Sequence, residues 1–125
     1  MPVPFWNSSG PRFLDREAVI DELRALAAAA AAGDRRIMRV VLFGSLATGR
    51  ATPRSDADLM IVLSEHPEKQ SMDRIPQYLE AFSKGPVPID VFPFTTAEIS
   101  GRRKKRDRFL ATVESEGLEI FGRRD

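Results

Sequence analysis

Cysteine is absent from all 125 residues, which excludes a disulfide framework and any thiolate metal site. Histidine occurs once, at His66, so a histidine-rich metal centre is excluded as well. No apolar run approaches the ~20 residues needed to cross a membrane as a helix. The opening Met1-Pro2-Val3-Pro4-Phe5-Trp6 lacks the basic start and apolar stretch of a signal peptide. An excess of one charge is missing too. Lys plus Arg number 19 and Asp plus Glu 18, a net charge of +1 that argues against a dedicated nucleic-acid binder. The expectation is a cytoplasmic protein with no membrane partner and no direct nucleic-acid partner. What is present, 42% hydrophobic and 30% charged residues, is the composition of one soluble domain able to bury its own core.

Residues 1–14 hold three prolines, two serines and a glycine. They read as an irregular arm, with Phe5 and Trp6 packing on the body of the domain. Residues 15–122 read as that domain. A helix is expected over 15–32, where Val19, Ile20, Leu23, Leu26, Ala27 and Ala30 recur at helical spacing. Asp15 and Glu17 suit its positive end, and Gly33 suits its stop. Two buried strands are expected at 37–43 and 57–63, joined by a short helical turn and a loop. A second long helix is expected over 71–84, with Ser71 as a candidate cap and Met72, Ile75, Leu79 and Phe82 as its apolar face. A third strand is expected over 87–92, placed at an edge or near a strand start by Pro86 and Pro88. Thr95 or Thr96 can cap a following helical segment. The last helix is expected over 107–116, with Phe109, Leu110 and Val113 inward, followed by a short apolar tail from Leu118 to Phe121. The order helix, strand, strand, helix, strand, helix indicates an α/β or α+β domain with a small mixed sheet.

The residues that carry chemistry are Gly44-Ser45, Asp56-Ala57-Asp58 and Asp90. Asp56 and Asp58 stand two apart at a strand start, so their side chains share a face. Two like charges so close repel unless a cation lies between them. Oxygen-only ligands favour Mg²⁺ or Mn²⁺ over zinc. Asp90 sits between Ile89 and Val91, a costly place for an unpartnered acid. If its strand pairs beside 57–63, the three carboxylates can hold two metals roughly 3.5–4 Å apart, as in-line phosphoryl displacement requires. Gly44 lets backbone approach a phosphate closely, while helical amides and the Ser45 hydroxyl donate to its oxygens. Gly-Ser alone, or Asp-x-Asp alone, is equally a turn or a solvated strand end. Their order and spacing make the combination specific.

Gly44-Ser45, the ten residues 46–55 and Asp56-Ala57-Asp58 resemble the Gly-Ser-x10-Asp-x-Asp signature of minimal nucleotidyltransferases, the smallest members of the polymerase-β-like superfamily. Val41-Leu42-Phe43 before it, Leu59-Met60-Ile61-Val62-Leu63 after it and Pro88-Ile89-Asp90-Val91 downstream are similar as well. Phe109-Leu110 through Phe121 resembles the family's closing helix and strand. The resemblance spans about residues 15–122. It implies a palm-like core, a small mixed sheet with helices packed on one face. It implies that Gly44 and Ser45 bind a nucleoside triphosphate, ATP being the family's choice. Asp56 and Asp58 would bind two Mg²⁺ ions, with Mn²⁺ as a substitute. Asp90 would bind the catalytic metal and help deprotonate an acceptor hydroxyl. It further implies an antitoxin that transfers AMP to a tyrosine of a HEPN-domain toxin, in a hetero-oligomer with it, as in type VII toxin–antitoxin pairs. A small-molecule acceptor such as an antibiotic, and a non-catalytic antitoxin that masks its partner, are the alternatives. The acceptor pocket of the antibiotic-modifying relatives is shaped by an added helical domain, for which this chain has little room.

Other residues attract simpler readings. Arg102-Arg103-Lys104-Lys105-Arg106 reads first as a solvated face and second as a contact for an acidic partner or for RNA bound to a partner. Arg50 and Arg54 read first as exposed loop residues, although phosphates are within their reach. His66 reads as a surface loop residue and Tyr78 as a packing residue. Phe92 and Phe94 suit a nucleotide pocket and core packing equally.

Overall fold

The computed structural model describes residues 15–50 and 56–123. The arm 1–14 with Phe5 and Trp6, and Arg54 in the spacer, lie outside the described residues. The elements run α1 (Arg16–Gly33), β1 (Ile37–Phe43), α2 (Ser45–Thr48), β2 (Ala57–Leu63), α3 (Ser71–Ala81), β3 (Ile89–Thr95), α4 (Thr96–Lys104), α5 (Arg108–Glu116) and β4 (Leu118–Gly122). The strands form one sheet in the order β3-β2-β1-β4. β1 is antiparallel to β2 and to β4, while β2 and β3 are parallel. The sheet is therefore mixed, as expected, and the apolar tail after α5 is its fourth strand.

α1 starts where the Asp15 side chain accepts from the Ala18 amide, satisfying one orphan donor of the first turn. Val19, Ile20, Leu23, Ala27 and Ala31 are its buried residues. The alanine run thus contributes two small residues four apart, which let this helix lie close to the sheet.

Alternation along the strands divides the core in two. Val40, Leu42, Leu59, Ile61 and Leu63 pack with α1, α2 and α3. Val41, Met60 and Val62 pack on the other side with Phe94, Ile99 of α4, and Leu110 and Val113 of α5. Helices therefore cover both faces, which corrects the expectation of one covered face. The physical reason lies in β1 and β2. Both are apolar on both sides, so both sides need cover.

α3 also differs from its expected face. Met72 is 78% exposed and Leu79 41%, while Arg74 and Tyr78 are buried beside Phe82. The helix is rotated because Arg74 has polar partners beneath it. Its guanidinium donates to the carbonyls of Glu68, Lys69 and Pro93 and to both oxygens of Glu98. The Ser71 hydroxyl, rather than capping the helix, donates to the same Pro93 carbonyl at 2.8 Å. Pro93 sits within β3, an edge strand as the prolines had suggested. Its carbonyl points outward to α3, so its missing N–H also faces outward and removes no ladder bond. Glu98 in turn completes a capping box with Thr95 at the start of α4.

Arg74 is 2% exposed, so removing it leaves a cavity and takes donors from the half-buried Glu98 and from the Pro93 carbonyl. Arg74→Ala is expected to cost about 3 kcal/mol in a urea titration. The Arg74 hydrogen bond is the main cause that holds the Glu98 carboxyl below its ordinary value. The stability from this pair is present above the ordinary glutamate range and is lost as pH falls through the lower folded value. Arg74→Ala should flatten that acid limb of the stability curve.

Candidate active site

β1 ends at Phe43, which stands opposite Asp58 in the antiparallel register with β2. Gly44 follows with φ 82° and ψ −156°, a backbone region open almost only to glycine. Space makes the same demand. A Cβ at Gly44 would lie 2.5 Å from Asp58 Oδ2. The turn therefore lays bare backbone directly against a carboxylate.

One turn of helix, α2, follows the glycine. The Thr48 hydroxyl donates to the Gly44 carbonyl at 3.2 Å, and Gly49 ends the turn in the left-handed conformation with φ 81°. Arg16, in the first turn of α1, donates from Nε to the Leu46 carbonyl at 2.6 Å and from Nη2 to the Ala47 carbonyl at 2.8 Å. A guanidinium thus takes up open carbonyls of this turn and fixes it behind Gly44-Ser45. Arg16 has no local signal in the sequence, because its partners lie about thirty residues away.

The acids meet at the end of the sheet. The Ala57 amide donates to the Pro88 carbonyl at 2.8 Å, which opens the parallel β2–β3 ladder. That ladder sets Asp58 beside Asp90, and register partners in a parallel pair share a face. Asp58 is half-buried, while Asp56 and Asp90 are exposed. Burial first, then the charges of Asp90 and Asp56, push the Asp58 carboxyl above its ordinary value. The three acids expected from the sequence therefore act on one another at one locus. Among the described residues no group of three or more acids or histidines is drawn tightly enough to hold a metal ion as it stands. The donor set nevertheless fits a divalent cation. It is all oxygen, and its central member is penalised as an anion by two neighbours, a penalty that a cation would relieve.

By alternation Asp58 shares the face of Met60 and Val62, and Asp90 that of Phe92 and Phe94. An aromatic cluster lies beside the acids and one pleat below them. Phe43 lies 5.3 Å from Phe92 and 5.4 Å from Phe109 between ring centroids. Phe92 and Phe94 are thereby part of the packing under α4 and α5. Ser45, half-buried, opens α2 beside Gly44. Arg50 is 3.8 Å from Glu116 and largely exposed. His66 is half-buried, accepts from the Glu68 amide at Nδ1 and donates from Nε2 to Gln77. The Tyr78 hydroxyl donates to Asp34 at 2.9 Å, and burial with that bond raises its pKa.

The sheet, with an acid pair on a parallel register and a glycine turn facing it, makes a mixed α/β fold with helices on both faces. A family model for the nucleotidyltransferase domain matches residues 23–113. The chain belongs to that family and is a nucleotidyltransferase. Among solved structures, a protein from Sulfolobus solfataricus assigned as a nucleotidyltransferase is similar at 18% identity. The match covers 86% of this chain and 84% of the other, with a TM-score of 0.58, and it shows a shared fold. A toxin–antitoxin complex with AMP-PNP matches at 15% identity over 89% of this chain and 76% of the other, with a TM-score of 0.47. A complex of tri-AMPylated Shewanella oneidensis HEPN toxin with MNT antitoxin matches at 12% identity over 86% and 73%, with a TM-score of 0.44. No curated protein matches the chain closely. No helix among the described residues is long and apolar enough to cross a membrane.

Gly44→Ala is expected to destabilise the chain by about 1–3 kcal/mol through backbone strain alone, measured by thermal unfolding. Asp58→Asn should act in the opposite direction. The folded Asp58 carboxyl titrates above its ordinary value, so ionising it weakens the fold, and stability recovers as pH falls through the raised value. In metal-free buffer at neutral pH, Asp58→Asn should melt higher than the unaltered chain, and the difference should shrink on acidification.

Proposed function

We propose that this chain transfers AMP from ATP to a hydroxyl, a tyrosine by preference, of a partner HEPN toxin and thereby acts as its antitoxin. The observation that carries the transferase reading is the Asp58–Asp90 register pair facing the Gly44 turn. Gly44 offers backbone with no side chain in the way, and Ser45 opens the one-turn helix beside it. These two residues would hold the triphosphate. Asp56 and Asp58 would hold two Mg²⁺ ions and Asp90 the catalytic one, which when bound would neutralise charge on the triphosphate. In the reaction the acceptor oxygen bonds to the α-phosphorus and pyrophosphate leaves. The hydroxyl proton passes to the Asp90 carboxylate, which is exposed on the edge strand and so open to an incoming acceptor.

The partner class follows from the sequence resemblance, the spacing of Gly44-Ser45 and Asp56-Ala57-Asp58. The protein acceptor is favoured by the exposure of Asp56 and Asp90. Among the described residues there is no appended helical domain to wall off a small-molecule pocket.

The test is intact mass spectrometry of whatever copurifies with the tagged chain from its host, with and without ATP and Mg²⁺. A partner heavier by one or more AMP units is expected, with no gain when Asp56 and Asp58 are both changed to Asn. A bound partner of unchanged mass would mean inhibition by masking. No partner at all would turn the search to small-molecule acceptors.

A further inference from the structure

The charge of this protein is nearly balanced over the whole chain but not locally. Residues 102–108 carry six cations and one acid. Arg102 is tied to Asp107 at 3.1 Å and stacks over Phe94 at 4.3 Å. Arg103 is tied to Glu114. Lys104, Lys105, Arg106 and Arg108 are all exposed and have no ion-pair partner among the described residues. Four free cations within five positions repel one another, and nothing in the packing requires them.

The elbow that carries them is rigid. The Asp107 amide donates to the Arg102 carbonyl at 3.0 Å and the Arg106 amide to the Arg103 carbonyl at 3.1 Å. This is the double bond pattern of a Schellman stop, whose left-handed position usually holds glycine. Here that position is Arg106, at φ 55°. A strained conformation has been given to an arginine whose side chain makes no hydrogen bond or ion pair among the described residues. The Asp107 side chain then caps α5 through the Leu110 amide at 2.9 Å. The cations are therefore presented on a preformed turn, which limits the ordering cost of binding.

The elbow is linked to the acids through an aromatic layer. Phe109, next to Arg108, packs at 5.4 Å on both Phe43 and Phe92. Phe43 is the register partner of Asp58, and Phe92 lies two residues from Asp90 on the same strand.

We propose that the α4–α5 elbow, through Lys104, Lys105, Arg106 and Arg108, is a docking site for an acidic segment of the protein acceptor, beside the reaction centre. A protein segment is favoured over RNA because the patch is confined to one turn. The nearby aromatics Phe94 and Phe109 are engaged in packing rather than free to stack on bases. Such a contact also draws the acceptor toward Asp90 and excludes partners of the wrong charge.

The proposal rests on the transferase reading only for the identity of the occupant, so binding is tested without nucleotide. A fluorescent oligoglutamate peptide and an oligouridylate of matching charge are titrated with the full chain at low and at physiological salt, followed by anisotropy. The peptide should bind, weaken by about tenfold or more as salt rises, and lose a similar factor in a variant carrying Lys104→Glu, Lys105→Glu and Arg108→Glu. The variant with Asp56→Asn and Asp58→Asn should bind the peptide at least as well as the unaltered chain. Absence of peptide binding, or equal binding by the triple variant, would overturn the proposal. So would preference for oligouridylate, which would make the elbow an RNA platform. Displacement of the peptide by ATP would overturn it as well, by making the elbow part of the triphosphate site. None of these outcomes depends on whether AMP transfer occurs.

Discussion

Two negative charges, Asp58 and Asp90, are held across one parallel register, and the rest of the molecule keeps them there. In water they would separate, and water would screen what repulsion remained. Here β2 and β3 pair residue for residue from Ala57 opposite Ile89 to Leu63 opposite Thr95. A slip of one residue would exchange the side chains that β2 gives to the two cores and spoil the packing of both. The apolar residues of both cores thus fix the spacing of the acids. A site with unfavourable electrostatics is tolerated because it is a small part of a cooperative sheet.

The second element of the site, the Gly44 turn, depends on different forces. Its carbonyls are met by a side chain hydroxyl and by Arg16, which arrives from the start of the first described helix. The acids are thus positioned by strand pairing, and the glycine turn by hydrogen bonds from elsewhere in the chain. The two meet at one contact, the bare α-carbon of Gly44 against the Asp58 carboxylate.

Much of this was legible in the sequence. The strands Ile37–Phe43 and Ala57–Leu63 announce themselves as apolar runs, and Asp56, Asp58 and Asp90 stand out because acids rarely interrupt or begin such runs. α3 was legible as a helix but not in its orientation. Periodicity counts Met72 and Leu79 as inward, and it cannot know that Arg74 finds a carboxylate and carbonyls beneath it. The covered second face was hidden for a related reason. α4 is short and basic, with Ile99 its buried residue, so its sequence resembles a surface segment. Arg16 was illegible because its partners are backbone atoms brought near only by the fold.

Pro93 has a consequence for how other proteins can approach. A free sheet edge commonly recruits a strand from another chain, through a row of open amides and carbonyls. β3 offers no such row at its centre. Pro93 has no amide to give, and its carbonyl is already shared by Ser71 and Arg74. The edge that bears Asp90 is therefore closed to β-augmentation. A macromolecule that reaches this carboxylate must come to it end-on, past the tips of the strands, rather than by zipping along them. A contact made that way can be released without dismantling a shared sheet.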